Sequence, residues 1–212
     1  MGRQQIWWTA TAVVAATTAG AALSRPAEVR LSDLSVYLGA AAGLDHGASL
    51  YDFARGNALF TYPPFAGLVF RPLTWLPQLP VQVVWSLATV ATVAGLALLV
   101  HREKAGALAL VLVLSAPVSS DLRYGQVSLF LAGLIAADVL VLRRTPWCGA
   151  LIGVAAAVKL TPLIFIPMLW LAGRRTAALT ATATFAGCAA AGAIVLPGDS
   201  WRFWTSEMLQ VG

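Results

Sequence analysis

The chain has 212 residues, of which 59% are hydrophobic and only 11% charged, where a soluble domain carries about a quarter charged residues. So few charges cannot clothe a water-soluble globule of this size, which leaves lipid as the solvent for most of the surface. Fourteen Lys+Arg against nine Asp+Glu give a formal net charge of +5. Because much of that charge sits in short pairs between apolar runs, it reads as a membrane-orientation signal, and nucleic-acid binding is set aside.

The first apolar run, residues 6–23, follows Arg3. Gly20-Ala21-Ala22 would suit a signal-peptide cleavage point, but the length of the run and the membranous remainder favour a span. Residues 24–62 read as an extracytoplasmic loop. Within it Leu31, Leu34, Leu38, Ala41 and Ala42 recur at helical spacing, which predicts an amphipathic helix over 32–44 lying along the membrane surface. Asp33, Val36, Tyr37 and Ala40 occupy its other side, Gly43 and Gly47 end it, and Leu50-Tyr51-Asp52 begins the next turn.

Tyr62-Pro63-Pro64 removes two backbone donors and bends the chain back over the membrane. Residues 65–79 are apolar but contain Arg71, Pro72 and Pro77, so an interfacial or re-entrant segment is expected instead of a clean span. Further runs follow at 81–100, 106–118, 127–142, 149–158, 163–173 and 177–196. The two flanking Lys159 are about ten residues each, or roughly 15 Å at helical rise, and together predict a hairpin that turns inside the membrane. A lysine there must find an anion or water.

Three compact basic linkers, His101-Arg102-Glu103-Lys104, Arg143-Arg144 and Arg174-Arg175, then fall on one side together with Arg3. That side is expected to be the cytoplasm, with the N-terminus in it. Residues 24–62, 119–126, 159–162 and 197–211 emerge opposite and hold most of the acids, aromatics and prolines. The expected architecture is an all-α, polytopic transmembrane helical bundle forming a single domain over 1–212. Cys148 and Cys188 form no ligand-like spacing with the two histidines and read as small buried hydrophobes.

Five strings carry a resemblance. Asp33-Leu34-Ser35-Val36-Tyr37, Leu50-Tyr51-Asp52, Phe60-Thr61-Tyr62-Pro63-Pro64-Phe65, Arg123-Tyr124-Gly125-Gln126-Val127-Ser128 and Val158-Lys159-Leu160-Thr161-Pro162 together resemble the GT87 glycosyltransferases, in the same order and at similar spacing. The resemblance implies a GT-C fold and an actinobacterial membrane mannosyltransferase that uses polyprenyl-phosphate-mannose. Members are about twice as long, with ten or more helices, so the chain is expected to match the N-terminal half of such an enzyme, as a fragment or with a second chain supplying the rest.

A donor sugar on a lipid phosphate departs without a general acid. It needs a carboxylate to take the acceptor proton and cations or polar donors to hold the phosphate. Single displacement inverts the anomeric centre through an oxocarbenium-like state. The resemblance places Asp33 at the catalytic acid of the first outward loop; by spacing alone it could equally cap its helix. Asp45 and Asp52 are weaker alternatives that also read as solvated loop acids.

Lys159 and Arg123 are the phosphate candidates; the first could instead snorkel from a helix end and the second pair with Asp121. Tyr37, Tyr62, Tyr124 and Gln126 are candidates for sugar or acceptor contacts. Tyr62 also fits an interfacial anchor, and Tyr124 and Gln126 could cap the following helix. No Asp-x-Asp pair is present, in keeping with a lipid-phosphate donor that needs no metal, and no cofactor is expected. The partners expected are the polyprenyl-phosphate sugar, a lipid or glycan acceptor and membrane lipids. The alternatives are a transporter or flippase, for which no inverted repeat is visible, and a non-catalytic membrane subunit.

Overall fold

A computed structural model of the protein describes residues 2–210. In chain order the helices are α1 (Arg3–Leu23), α2 (Ser32–Gly43), α3 (Pro64–Phe70), α4 (Gln78–Val100), α5 (Ala105–Leu114), α6 (Ala116–Tyr124), α7 (Ser128–Leu140), α8 (Ala150–Val158), α9 (Phe165–Leu171), α10 (Arg175–Val195), α11 (Pro197–Arg202) and α12 (Met208–Gln210). A two-residue hairpin pairs β1 (Ala54–Arg55) with β2 (Ala58–Leu59). Among the described residues three helices, α1, α4 and α10, are long and apolar enough to cross a membrane, with mean hydropathies of 1.4, 2.2 and 1.6. The chain is an all-α membrane protein.

Two compact units divide it: Met1–Ser35 with Pro77–Ala136, and Val36–Leu76 with Ala137–Gly212. In the first, α1, α4, α5 and α6 pack around Ala15, Val93, Ala97, Ala109, Val113 and Leu122. Small residues dominate because lipid supplies no hydrophobic drive between helices, so close van der Waals approach must hold them. Gly106 shows this directly: a Cβ there would lie 2.9 Å from Trp7 Cβ and 3.2 Å from the Gln4 carbonyl oxygen. Thr11 Oγ1, buried in the bilayer-facing bundle, donates to the Trp7 and Gly106 carbonyls at 2.9 and 3.2 Å. Gln4 Nε2 donates to the Arg102 carbonyl at 3.2 Å, which brings Arg3 and the 101–104 linker to the same end of this unit.

The apolar run at 106–118 is not one helix. α5 stops at Leu114, Ser115 turns extended with ψ 145°, and α6 leaves at 68°. Pro117 in the first turn of α6 has no N–H to offer the α5 ladder, so the break falls there. The fourth crossing exists only if this bent pair counts as one span.

In the second unit α10 packs on both α8 and α9. Gly149 meets α10 at Ala177 and Gly153 meets it at Ala181 and Thr184, so α8 and α10 run in the same direction. The chain must therefore return between them, and it does so through α9. Arg174 Nη2 donates to the Arg143 carbonyl at 3.1 Å and to Cys148 Sγ at 3.0 Å, which brings the two Arg-Arg linkers to one end, as a hairpin requires. Asp138, fully buried, accepts from the amides of Gly149 at 2.6 Å and Ile152 at 3.1 Å. A carboxylate on those unpaired amides suits the positive end of the α8 dipole.

Residues 65–79 form no span: α3 is followed by a 3₁₀ turn over Arg71–Trp75. The two prolines start α3, with Pro64 at its first position, where a missing N–H costs nothing. The expected surface helix forms as α2 but is not buried on one stripe. Val36, Tyr37 and Ala40, assigned to the open side, are as buried as Leu34, Leu38 and Ala41. The physical reason is that the 44–60 segment folds back, and Gly39 has no Cβ to keep the Phe53 ring away.

Candidate functional site

The structure gathers the candidate residues into two groups, one in each unit. The first is Asp33 with Arg123, Tyr124 and Gln126. The first intrahelical bond of α2 runs from the Ser35 amide to the Leu31 carbonyl at 2.9 Å, which makes Leu31 the N-cap. Asp33 therefore stands inside the first turn, and its carboxylate accepts the Ser32 hydroxyl at 3.1 Å. It favours the helix dipole without occupying the cap, and it is partly exposed.

Arg123 and Tyr124 end α6, and both are exposed. Gly125, with φ 73° and ψ 37°, closes that helix in the left-handed conformation, its amide bonded to the Asp121 carbonyl at 2.8 Å. The Asp121 carboxylate, 5% exposed, accepts the Leu129 amide at 2.8 Å and so secures the start of α7. A Cβ on Gly125 would lie 2.9 Å from Leu34 Cβ and 3.0 Å from Leu31 Cβ. The Arg-Tyr-Gly-Gln turn thus rests on the turn of α2 that carries Asp33.

The second group is Lys159, Tyr62 and Tyr37. Lys159 follows α8 in extended backbone, φ −146° and ψ 133°, half-buried, with Nζ 5.4 Å from the Tyr62 ring centroid. Six residues separate it from Gly153, about 9 Å at helical rise, so it lies level with the later turns of α10. It opens on a cleft of about 260 Å³ lined by Thr61, Tyr62, Pro63, Lys159, Thr161 and Phe203. The Tyr37 and Tyr62 hydroxyls share a hydrogen bond at 2.8 Å, and Tyr37 stacks on Phe70 at 4.9 Å. Tyr51 Oη donates to the Tyr62 carbonyl at 2.9 Å. Burial, reinforced by Asp199 and Glu207, pushes the Tyr51 hydroxyl far above its ordinary value, so it remains a donor at any physiological pH.

The other loop acids are engaged. Asp45 pairs with Arg71 at 2.6 Å, and Asp52 pairs with Arg202, which also holds Glu207 at 2.7 Å. Arg202 Nη2 donates to the Tyr51 carbonyl as well, at 3.2 Å. Ser49 donates to Asp199 in a short hydrogen bond. Arg202, Asp199 and Glu207 are not among the residues the sequence singles out, where 197–211 reads only as an outward segment. The only local signal was a cluster of charges among its tryptophans.

The family model of Glycosyltransferase family 87 matches residues 60–212. The chain belongs to this family. It is 33% identical over 205 residues to a polyprenol-phosphate-mannose-dependent alpha-(1-2)-phosphatidylinositol mannoside mannosyltransferase of Mycobacterium tuberculosis, covering 83% of this chain and 48% of that protein. A polyprenol-phosphate-mannose-dependent alpha-(1-2)-phosphatidylinositol pentamannoside mannosyltransferase of Mycolicibacterium smegmatis is 33% identical over 185 residues, covering 80% of this chain and 42% of its own. The family-87 chain spans about half the length of the curated relatives it matches. No solved structure matches it.

Proposed function

We propose that this family-87 chain is part of a membrane hexosyltransferase that moves mannose from a polyprenyl-phosphate donor to a phosphatidylinositol mannoside or related lipid or glycan acceptor, with inversion. Asp33 is the base. The bond from the sugar's anomeric carbon to the phosphate oxygen breaks, the bond to the acceptor oxygen forms, and the acceptor's proton passes to Asp33. The phosphate leaves with its added negative charge held by Lys159, a point charge, and Arg123, which can grip two oxygens at once. Tyr37, Tyr62, Tyr124 and Gln126 contact sugar or acceptor hydroxyls. No metal or cofactor enters the scheme.

The observation that carries the assignment of the base is the fate of the three aspartates of the first loop. Asp45 and Asp52 each give their Oδ1 to a guanidinium group, that of Arg71 and of Arg202 respectively. Asp33 meets a hydroxyl instead. The Arg3/Arg102 end of one unit and the Arg143/Arg174 end of the other face the cytoplasm in this reading, and the sugar is transferred on the opposite side.

The test is Asp33→Asn, assayed in membranes containing the protein with polyprenyl-phosphate-mannose and phosphatidylinositol mannosides. Loss of a positioned base lowers the rate about 10²–10⁴-fold while membrane content stays unchanged. Wild-type turnover by Asp33→Asn removes Asp33 from the chemistry.

A further inference from the structure

We propose that Leu31 and Gly125 are positioning residues: their contact clamps the first turn of α2 to the Arg-Tyr-Gly-Gln turn and so sets where the Asp33 carboxylate stands. This rests on Asp33 being the base. Three observations meet at one point. Leu31 is a non-glycine residue with positive φ, at 40°, and it is 0% exposed. A leucine there is strained, and such strain persists only where the surroundings over-determine it. What surrounds it is Gly125, itself left-handed, whose missing Cβ leaves room for the Cβ atoms of Leu31 and Leu34.

The turn that presses on Leu31 is itself held. The Asp121 carbonyl accepts the amides of Gly125 at 2.8 Å and Gln126 at 3.3 Å, and the Asp121 carboxylate accepts the Leu129 amide from α7. On the α2 side, the Leu31 carbonyl takes the Ser35 amide and Ser35 Oγ donates to the Arg30 carbonyl at 3.1 Å. Both partners are therefore braced by backbone bonds, and Asp33 lies between the two residues, Leu31 and Leu34, that Gly125 touches. A Cβ cannot rotate away from a clash as a longer side chain can. Carbon atoms prefer about 3.5–4.0 Å, so an added methyl at Gly125 pushes the α2 turn aside.

The experiment introduces Gly125→Ala into the whole protein in membranes. Donor turnover falls about tenfold to a hundredfold through kcat with the donor KM kept, as expected for a base displaced by less than about 1 Å. Position is read separately, in a Cys148→Ala/Cys188→Ala background, from the rate at which Asp33→Cys reacts with a membrane-impermeant thiol reagent. Asn57→Cys, at the exposed tip of the β1–β2 hairpin, is the control. Gly125→Ala changes the rate at position 33 and leaves the rate at 57 as it was. An unchanged rate at 33, unchanged turnover, or equal changes at both positions overturns the positioning role. Activity in Asp33→Asn, by contrast, overturns the reading of the base and not the clamp, which the labelling rates report without any chemistry.

Discussion

Lys159 carries a charge just beyond a nine-residue apolar helix and is neither exposed nor deeply buried. Its ammonium faces the Tyr62 ring, an attraction worth about 0.5–1 kcal/mol at an exposed site and about 2 when desolvated. An anion delivered to the cleft that Lys159 lines would meet this ammonium. Lys159→Gln, which keeps a donor but removes the charge, is expected to raise the donor KM about tenfold or more, since charge-assisted bonds are worth roughly 1.5–3 kcal/mol. Lys159→Arg should recover part of the loss. A donor KM unchanged in Lys159→Gln, measured by initial rates across donor concentrations, would show that the phosphate is held elsewhere. Lys159 was visible in the sequence because a charge between two apolar runs is anomalous in itself. The sorting of Asp33 from Asp45 and Asp52 was not, because it depends on Arg71 and Arg202, which stand 26 and 150 residues away from the acids they hold.

At the scale of elements, the position of Lys159 is set by α8, and α8 is set by its seam with α10. Gly149 has φ 101°, and a Cβ there would lie 2.0 Å from the Ala177 carbonyl oxygen. At Gly153 the corresponding distance to the Ala181 oxygen is 2.5 Å. Gly149→Ala must therefore push two backbones apart and also adopt a conformation that alanine resists. The expected cost is about 1–3 kcal/mol or more, seen as a lower midpoint in thermal unfolding of the detergent-solubilised protein. Gly187→Ala on α10 has nothing within 4 Å and should be neutral or stabilising by up to about 1 kcal/mol. Equal midpoints for the two variants would mean that the α8–α10 seam is not what holds the hairpin. The hairpin was legible because neither run is long enough to span. The break at Ser115 was not, because hydropathy continues unbroken through Pro117. The burial of α2 on all sides was hidden too, because only the folded 44–60 segment covers the residues left open by the apolar stripe.

For the whole molecule, sidedness is the strongest constraint. Arg3 and the 101–104 linker share one end of the first unit through the Gln4–Arg102 bond. The two Arg-Arg linkers share one end of the second through Arg174. With short basic segments retained in the cytoplasm, single cysteines at positions 3, 102, 143 and 174 should resist impermeant thiol reagents added outside. Cysteines at positions 33 and 159 should both react. Labelling of 33 and 159 from opposite sides of the membrane would dismantle the proposed transfer site.

Composition and hydropathy determined by themselves that this is a helical membrane protein with long apolar helices near 6–23, 81–100 and 177–196, because lipid solvation acts on each segment locally. The order of five short strings was enough to point to the family. Tertiary structure alone decided which acid keeps its oxygens clear of guanidinium groups, that the Tyr37 and Tyr62 hydroxyls meet, and that a strained Leu31 is pressed by Gly125. Each of these depends on a partner distant in the chain, and hydrogen bonds and van der Waals contacts form only where the fold brings such partners within a few ångströms.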